Sequence, residues 1–255
     1  MEEQRLASSD KLRNAKTFSV YYGKGCPDKL AAFDIAVIEP MAQEISCVRN
    51  LQEKGVAVFA YLSVMEVRPD QKEFDLHFQD LLKIKGEFVL NHEFETYYTD
   101  LRSEEWKRHL YEKAEAYLND YGCDGLFLDT IGNLEDPRIP TNMKYIFIEE
   151  TVALLEKIKK DHPESMILQN NGLGLLLQYT KTYIDGICWE NICFKRGMVG
   201  KINKVIIKRL REFQEEVQLR VLLLTEESGQ HRKIAKFAGR NGFLYYDAPK
   251  DYMRL

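Results

Sequence analysis

Short β-rich runs alternate with longer amphipathic runs from one end of the chain to the other, and this alternation restricts the fold more than any other feature. Nine runs read as strands: Phe18–Tyr22, Asp34–Glu39, Val56–Ser63, Tyr97–Leu101, Gly125–Asp129, Met166–Asn170, Gly186–Glu190, Val221–Thr225 and Phe243–Tyr246. Two of them, Val-Ala-Val-Phe-Ala-Tyr-Leu from Val56 and Val-Leu-Leu-Leu from Val221, are continuously apolar. A strand with water on one face alternates apolar and polar residues. A run without polar positions is buried on both faces, as in a parallel sheet covered by helices.

The intervening runs have helical spacing. Ser103 is a good N-cap, Glu104 and Glu105 follow in the first turn, and Trp106, Leu110, Tyr117 and Tyr121 share a face up to Gly122. From Asn142 to Lys160 the residues Tyr145, Ile148, Val152, Leu155 and Ile158 repeat in the same way, and Lys157, Lys159 and Lys160 suit the negative end of a helix dipole. Lys201–Val217, with Ile202, Val205, Ile206, Leu210 and Phe213, and His231–Ala238 complete the set. No Gly/Ser/Pro linker divides the chain, so residues 1–255 read as one α/β domain, with 1–16 as a peripheral N-terminal segment. Length and strand count favour a (β/α)8 TIM barrel over an open sheet, with one candidate strand too many. The stretch between Ser63 and Tyr97, including Glu66–Asp70, and the stretch after Asp129, with Pro137 and Pro140, read as enlarged loops.

Charge and composition exclude several classes of function. Lys and Arg number 36 against 40 Asp and Glu, a net charge of −4, which gives no case for nucleic acid or an anionic membrane as partner. No run of apolar residues is long enough for a membrane span. The polar start Met1-Glu-Glu-Gln-Arg lacks the features of a signal peptide, so the chain is expected to be cytoplasmic, or secreted if a signal was removed. The cysteines (Cys26, Cys47, Cys123, Cys188, Cys193) form no CxxC pair and read as small buried hydrophobes. The histidines lack metal-ligand spacing, no GxSxG is present, and Gly172-Leu-Gly174 lacks the remaining residues of a phosphate loop. No metal or cofactor is expected.

What the chain does have is acid at the ends of its strands. Glu39, Glu66, Asp100, Asp129, Glu190, Glu226 and Asp247 all stand at or just beyond the C-terminal end of a candidate strand. In a barrel those ends converge on the face that carries active sites. Crowded acids raise one another's pKa, which suits acid/base work on a neutral or cationic substrate. Asp129 and Glu190 each terminate an apolar strand of the same shape, Asp124-Gly-Leu-Phe-Leu-Asp and Asp185-Gly-Ile-Cys-Trp-Glu. Two facing carboxylates are what glycoside hydrolysis requires. Trp189 and nearby tyrosines offer flat faces to sugar rings.

Several segments also resemble one family: Phe18-Ser-Val-Tyr-Tyr-Gly, Phe33-Asp-Ile-Ala-Val-Ile-Glu-Pro, Ala60-Tyr-Leu-Ser-Val-Met-Glu, Tyr97-Tyr-Thr-Asp, the two Asp-Gly strands, and Gln169-Asn-Asn-Gly-Leu. In this order, over about residues 18 to 247, they are similar to glycoside hydrolase family 114, the endo-α-1,4-polygalactosaminidase-like TIM barrels. The resemblance implies cleavage of α-1,4-linked galactosamine-rich polysaccharide, with Asp129 and Glu190 as the catalytic pair. The expected roles are Asp129 as nucleophile and Glu190 as general acid and then base, with the exchanged assignment and an inverting reaction left open. Tyr22, Glu39, Glu66, Asp100, Asn170, Asn171, Trp189 and Glu226 are expected to line the cleft and bind the saccharide. Two positions depart from the family's pattern: Met65 stands where glycine is usual, and Gly132 where a second acid is frequent. They motivate the rival expectation of a non-catalytic carbohydrate-binding barrel, beside that of a glycosidase acting on another glycan.

Overall fold

The structure is a computed structural model that describes residues 10–69, 78–192, 194 and 201–255. Eight parallel strands form one sheet in sequential order: β1 (Phe18–Tyr21), β2 (Ile35–Ile38), β3 (Ala57–Ser63), β4 (Gly125–Asp129), β5 (Met166–Asn170), β6 (Gly186–Glu190), β7 (Arg220–Glu226) and β8 (Leu244–Ala248). β1 and β8 lie against each other without a shared ladder, so the sheet is nearly closed into a barrel. Helices Ile45–Glu53, Glu104–Asn119, Thr141–Asp161, Leu177–Thr180, Lys201–Val217 and His231–Asn241 alternate with the strands.

The surplus candidate was Tyr97–Leu101. Thr96–Tyr98 pairs antiparallel with Glu66–Val67 and Leu90–Asn91, forming a small sheet inside the β3–β4 connection. The run has strand propensity, but its partners lie in a loop. Helix Ile45–Glu53 was not legible in the sequence, because its buried face is only Cys47, Val48 and Leu51. In Thr141–Asp161 the buried face includes Phe147, Ile148, Leu155 and Ile158, whereas Tyr145 is exposed. The side chain of Ile202, together with Cys193 and Asp70, lies outside the described residues.

Two hydrophobic clusters follow from the period of two along each strand. The inner one, enclosed by the barrel, contains Phe18, Val20, Ile35, Val37, Phe59, Phe127, Leu168, Cys188, Leu222, Leu224 and Leu244. The outer one, between sheet and helices, contains the intervening residues such as Ile38, Val58, Leu126, Leu128, Ile187 and Leu223, packed on Trp106, Leu110 and Tyr117. Ser103 caps its helix as expected, accepting from the Trp106 amide, and the buried Trp106 indole donates to the Val64 carbonyl at 2.9 Å. Residues 10–14 are helical, and Leu12 and Ala15 are buried against the inner cluster.

Aspartates before β2, β4 and β6 secure the opposite end. The Asp34 carboxylate accepts from the amides of Lys16 and Thr17 at 2.8 and 2.9 Å, Asp124 from Val58 at 2.8 Å, and Asp185 from Ile167 at 2.8 Å. Each ties the entry of β2, β4 or β6 to the strand on one side. Gly125 and Gly186 admit the strand on the other side: a Cβ at Gly125 would collide with the Met166 carbonyl, and one at Gly186 would come 2.9 Å from the Arg220 carbonyl oxygen.

The cysteine reading needs correction. Cys26, after β1, and Cys47, on the helix after β2, form a disulfide, while Cys123 and Cys188 are free and buried. No motif announced the bridge, because the parallel pairing of β1 with β2 brings the two loops together. Its sequence separation of 21 corresponds to ~3 kcal/mol of loop-closure stabilisation. A reducing agent is therefore expected to lower the thermal midpoint. Cys47→Ala should lower it comparably and remove the response to reductant, both readable by calorimetry.

Candidate active site

Side-chain alternation decides which strand-end residues meet. Inner positions at Phe127, Leu168, Cys188 and Leu224 place Asp129, Asn170, Glu190 and Glu226 inward two residues later, at the C-terminal mouth. The same count leads to Tyr22 beyond β1 and Tyr61 on β3, both packed against the inner cluster.

Asn170 is the centre of this arrangement. Its Nδ2 donates to Asp129 Oδ1 at 2.7 Å and to Glu190 Oε2 at 2.8 Å. One nitrogen reaching both oxygens holds them within about 5.5 Å of each other. Tyr252 donates its hydroxyl to the other oxygen of Glu190. Asp129 also accepts from the Tyr61 hydroxyl and the Thr130 amide. Burial, followed by the charge of Glu190, raises the Asp129 carboxyl to about 6 against the lowering effect of Asn170 and Thr130. Burial and the adjacent carboxylates also raise Tyr22, Tyr61 and Tyr252 above the ordinary phenol range, which keeps these hydroxyls protonated as donors. Burial raises the Cys188 thiol likewise, so it is not an activated nucleophile.

The chain leaves the strands by a recurring turn. Thr130, Asn171, Asn191 and Glu227, each directly after the last residue of β4 to β7, have φ of 58°, 58°, 59° and 44°. Left-handed backbone at a non-glycine residue costs about 1–3 kcal/mol and persists only where its surroundings fix it. Thr130 shows how: its Oγ1 accepts from the amides of Val64 and Met65 at 3.0 and 2.8 Å and lies 3.1 Å from Ser63 Oγ. Asn171 Oδ1 accepts from the Glu190 amide at 3.1 Å. The ends of β3 to β6 are thus joined through side chains.

The remaining expected site residues are distributed unevenly. Glu39 follows β2; it accepts from the Met41 amide and the Tyr117 hydroxyl, and its charge acts on Tyr61. Glu66 is buried in the loop sheet, where Asn91, Thr96 and Asn133 donate to it. Its charge contributes to raising Asp129. Glu226 accepts from the Asp251 amide at the rim. Asp100 is not brought to the pair: Arg102 holds both its oxygens, at 2.9 and 2.6 Å. Trp189 was expected to stack on sugar, but it points the opposite way from its neighbours Cys188 and Glu190, into the outer cluster, and is 6% exposed. Asp247 also faces outward, where Thr225 and the Ser228 amide donate to it.

The two departures are accommodated. Met65 is buried in the outer cluster, so its side chain does not narrow the mouth. At Gly132 a Cβ would lie 2.7 Å from the Gly172 nitrogen and 2.8 Å from the Asn171 Cβ, so this backbone leaves no room for an acid there. Tyr61 was not singled out from the sequence, although inward parity on β3 marks it. Tyr252 carries no such signal.

Comparisons with known proteins bear on the fold and the family. Among solved structures, the glycoside hydrolase domain of PelA from Pseudomonas aeruginosa aligns over 95% of this chain and 98% of its own, with a TM-score of 0.78 at 19% identity. Ega3 of Aspergillus fumigatus, in complex with galactosamine, aligns over 94% and 92%, with a TM-score of 0.69 at 14% identity. TtGalA, an α-galactosidase from Thermus thermophilus, aligns over 98% and 66%, with a TM-score of 0.61 at 13% identity. No curated protein sequence matches. The sequence profile of glycoside-hydrolase family GH114 matches residues 2–242, nearly the whole chain, and the chain belongs to that family.

Proposed function

We propose that the protein hydrolyses α-1,4-linked galactosamine-rich polysaccharide through Asp129 and Glu190, with retention of configuration. The observation that carries the reading is the Asn170 amide bonded to both carboxylates at the mouth. Two oxygens held this close favour the ~5–5.5 Å carboxyl separation of a retaining pair over the ~6.5–9.5 Å of an inverting one. Asp129 attacks the anomeric carbon, while Glu190 protonates the leaving oxygen and later deprotonates water. A mouth carrying Asp129, Glu190, Glu226 and nearby Glu66 suits a cationic amino sugar, and galactosamine is the sugar found in the complex of the Ega3 neighbour. The Cys26–Cys47 disulfide supports work in an oxidising compartment.

One observation favours the exchanged roles. Burial raises Asp129, which would keep a proton on it in the empty site and favour Asp129 as the general acid. Trapping with a fluorinated galactosamine-type inactivator decides between the two, because the labelled peptide contains either Asp129 or Glu190.

Both assignments need one proton on the pair. Because the last one leaves near pH 6, kcat/KM should fall as pH rises through about 6. Asp129→Asn and Glu190→Gln should each reduce turnover of the galactosamine polymer by ~10³-fold or more while the fold is retained. Binding without turnover by the native protein would instead establish the non-catalytic barrel.

A second consequence concerns stability. A carboxyl raised from 3.8 to about 6 costs stability once it ionises: the cost is absent below 3.8 and complete above about 6. Asp129→Asn removes it. The variant is expected to be more stable by ~1–3 kcal/mol above pH 6, with the gain vanishing as pH falls toward 3.8, measured by urea unfolding across pH.

A further inference from the structure

We propose that Tyr252, carried to the mouth by the turn after β8 rather than by a barrel strand, is a positioning residue for hydrolysis that orients the Glu190 carboxyl. The inference rests on Glu190 being one of the catalytic pair, and it goes beyond the residues the family profile matches, which end at 242.

The geometry involves both the side chain and the main chain. Tyr252 donates its hydroxyl to Glu190 Oε1, while Asn170 donates to Oε2. Donors on the two oxygens fix the plane of the carboxyl, which a single donor leaves free to rotate. The Tyr252 ring meets the Tyr22 ring edge-on, with centroids 5.3 Å apart, and Tyr22 in turn meets Tyr61 at 4.7 Å. Its main chain is anchored independently. The Tyr252 carbonyl accepts from the Tyr22 amide at 2.8 Å, and the preceding Asp251 amide donates to Glu226. The first of these bonds spans the seam between β1 and β8, where the sheet has no ladder, and the second ties the turn to β7. Asp251 and Tyr252 both have left-handed backbone, with φ of 59° and 55°. Two adjacent non-glycine residues in that region mark a conformation imposed by its surroundings, and such positions gather at functional sites. The groups facing Glu190 are Asp129, Asn170, Cys188, Tyr22 and Tyr252. Between Glu226 and Glu190, and with its own pKa raised by burial, Tyr252 keeps its proton and acts toward Glu190 as a donor.

Tyr252→Phe tests the role, because it keeps the ring packing and the main-chain bonds and removes only the hydroxyl. On α-1,4-galactosamine oligosaccharides, kcat should fall on the order of 10–100-fold with KM nearly unchanged. The same substitution in a Glu190→Gln background should cost nothing further, since both act through one group. A readout without substrate separates this claim from the identity of the glycan. The carboxylate infrared band that disappears in Glu190→Gln should shift in frequency in Tyr252→Phe relative to the native protein, because one of its oxygens has lost a donor. A Tyr252→Phe variant with native kcat, or with an unmoved Glu190 band, overturns the proposal. If the native protein does not cleave the oligosaccharide, the substrate reading fails, and the band still decides whether Tyr252 acts on Glu190.

Discussion

Two carboxylates sharing the amide of Asn170 are the interaction around which the mouth of this barrel is organised. Like charges at that distance repel, and in a buried setting the repulsion is not screened by water. Asn170 reduces it by placing a donor between the charges, and Tyr252, Tyr61 and the Thr130 amide add further donors. The donors come from β3, β5, the turn after β4 and the turn after β8. The pair is therefore held by the nearly closed sheet as a whole, and no single loop could assemble it.

Strand register makes that possible. A slip of one residue in β4 or β6 would turn Asp129 or Glu190 into the helix layer and bring Leu128 or Trp189 inside. Register is fixed at the other end of the same strands. Asp124 and Asp185 bond to one neighbouring strand, while Gly125 and Gly186 allow the other to approach. The motif Asp-Gly followed by three apolar residues and an acid thus contains both a register lock and the mouth carboxylate that the lock aligns.

Those six-residue motifs explain why so much was legible in the sequence. Barrel architecture, all eight barrel strands at nearly their observed bounds, and the meeting of Asp129, Asn170 and Glu190 all follow from local patterns with period two. The misreadings share a cause of another kind. Trp189 was credited with stacking because its composition suggests it, whereas its parity sends it outward. Tyr97–Leu101 has the composition of a barrel strand, but its pairing partners are loop residues that no local pattern identifies. The Cys26–Cys47 bridge and the Tyr252 contact join segments that only the closed sheet brings together, so neither leaves a mark on its immediate neighbours.

The acids at the two ends of the strands differ in what they do for the chain. At the entry ends, Asp34 is held below the ordinary carboxylate range by the amides of Lys16 and Thr17, so its charge favours the folded state. At the exit ends, the charge of Asp129 works against it. Under random substitution the two ends therefore drift in opposite directions. A lineage freed from the need for turnover would gain by losing Asp129 and would be penalised for losing the entry acids. Mutation alone would empty the mouth while sparing the base. A chain that carries Asp129 at its mouth bears a stability burden there that its entry acids do not impose.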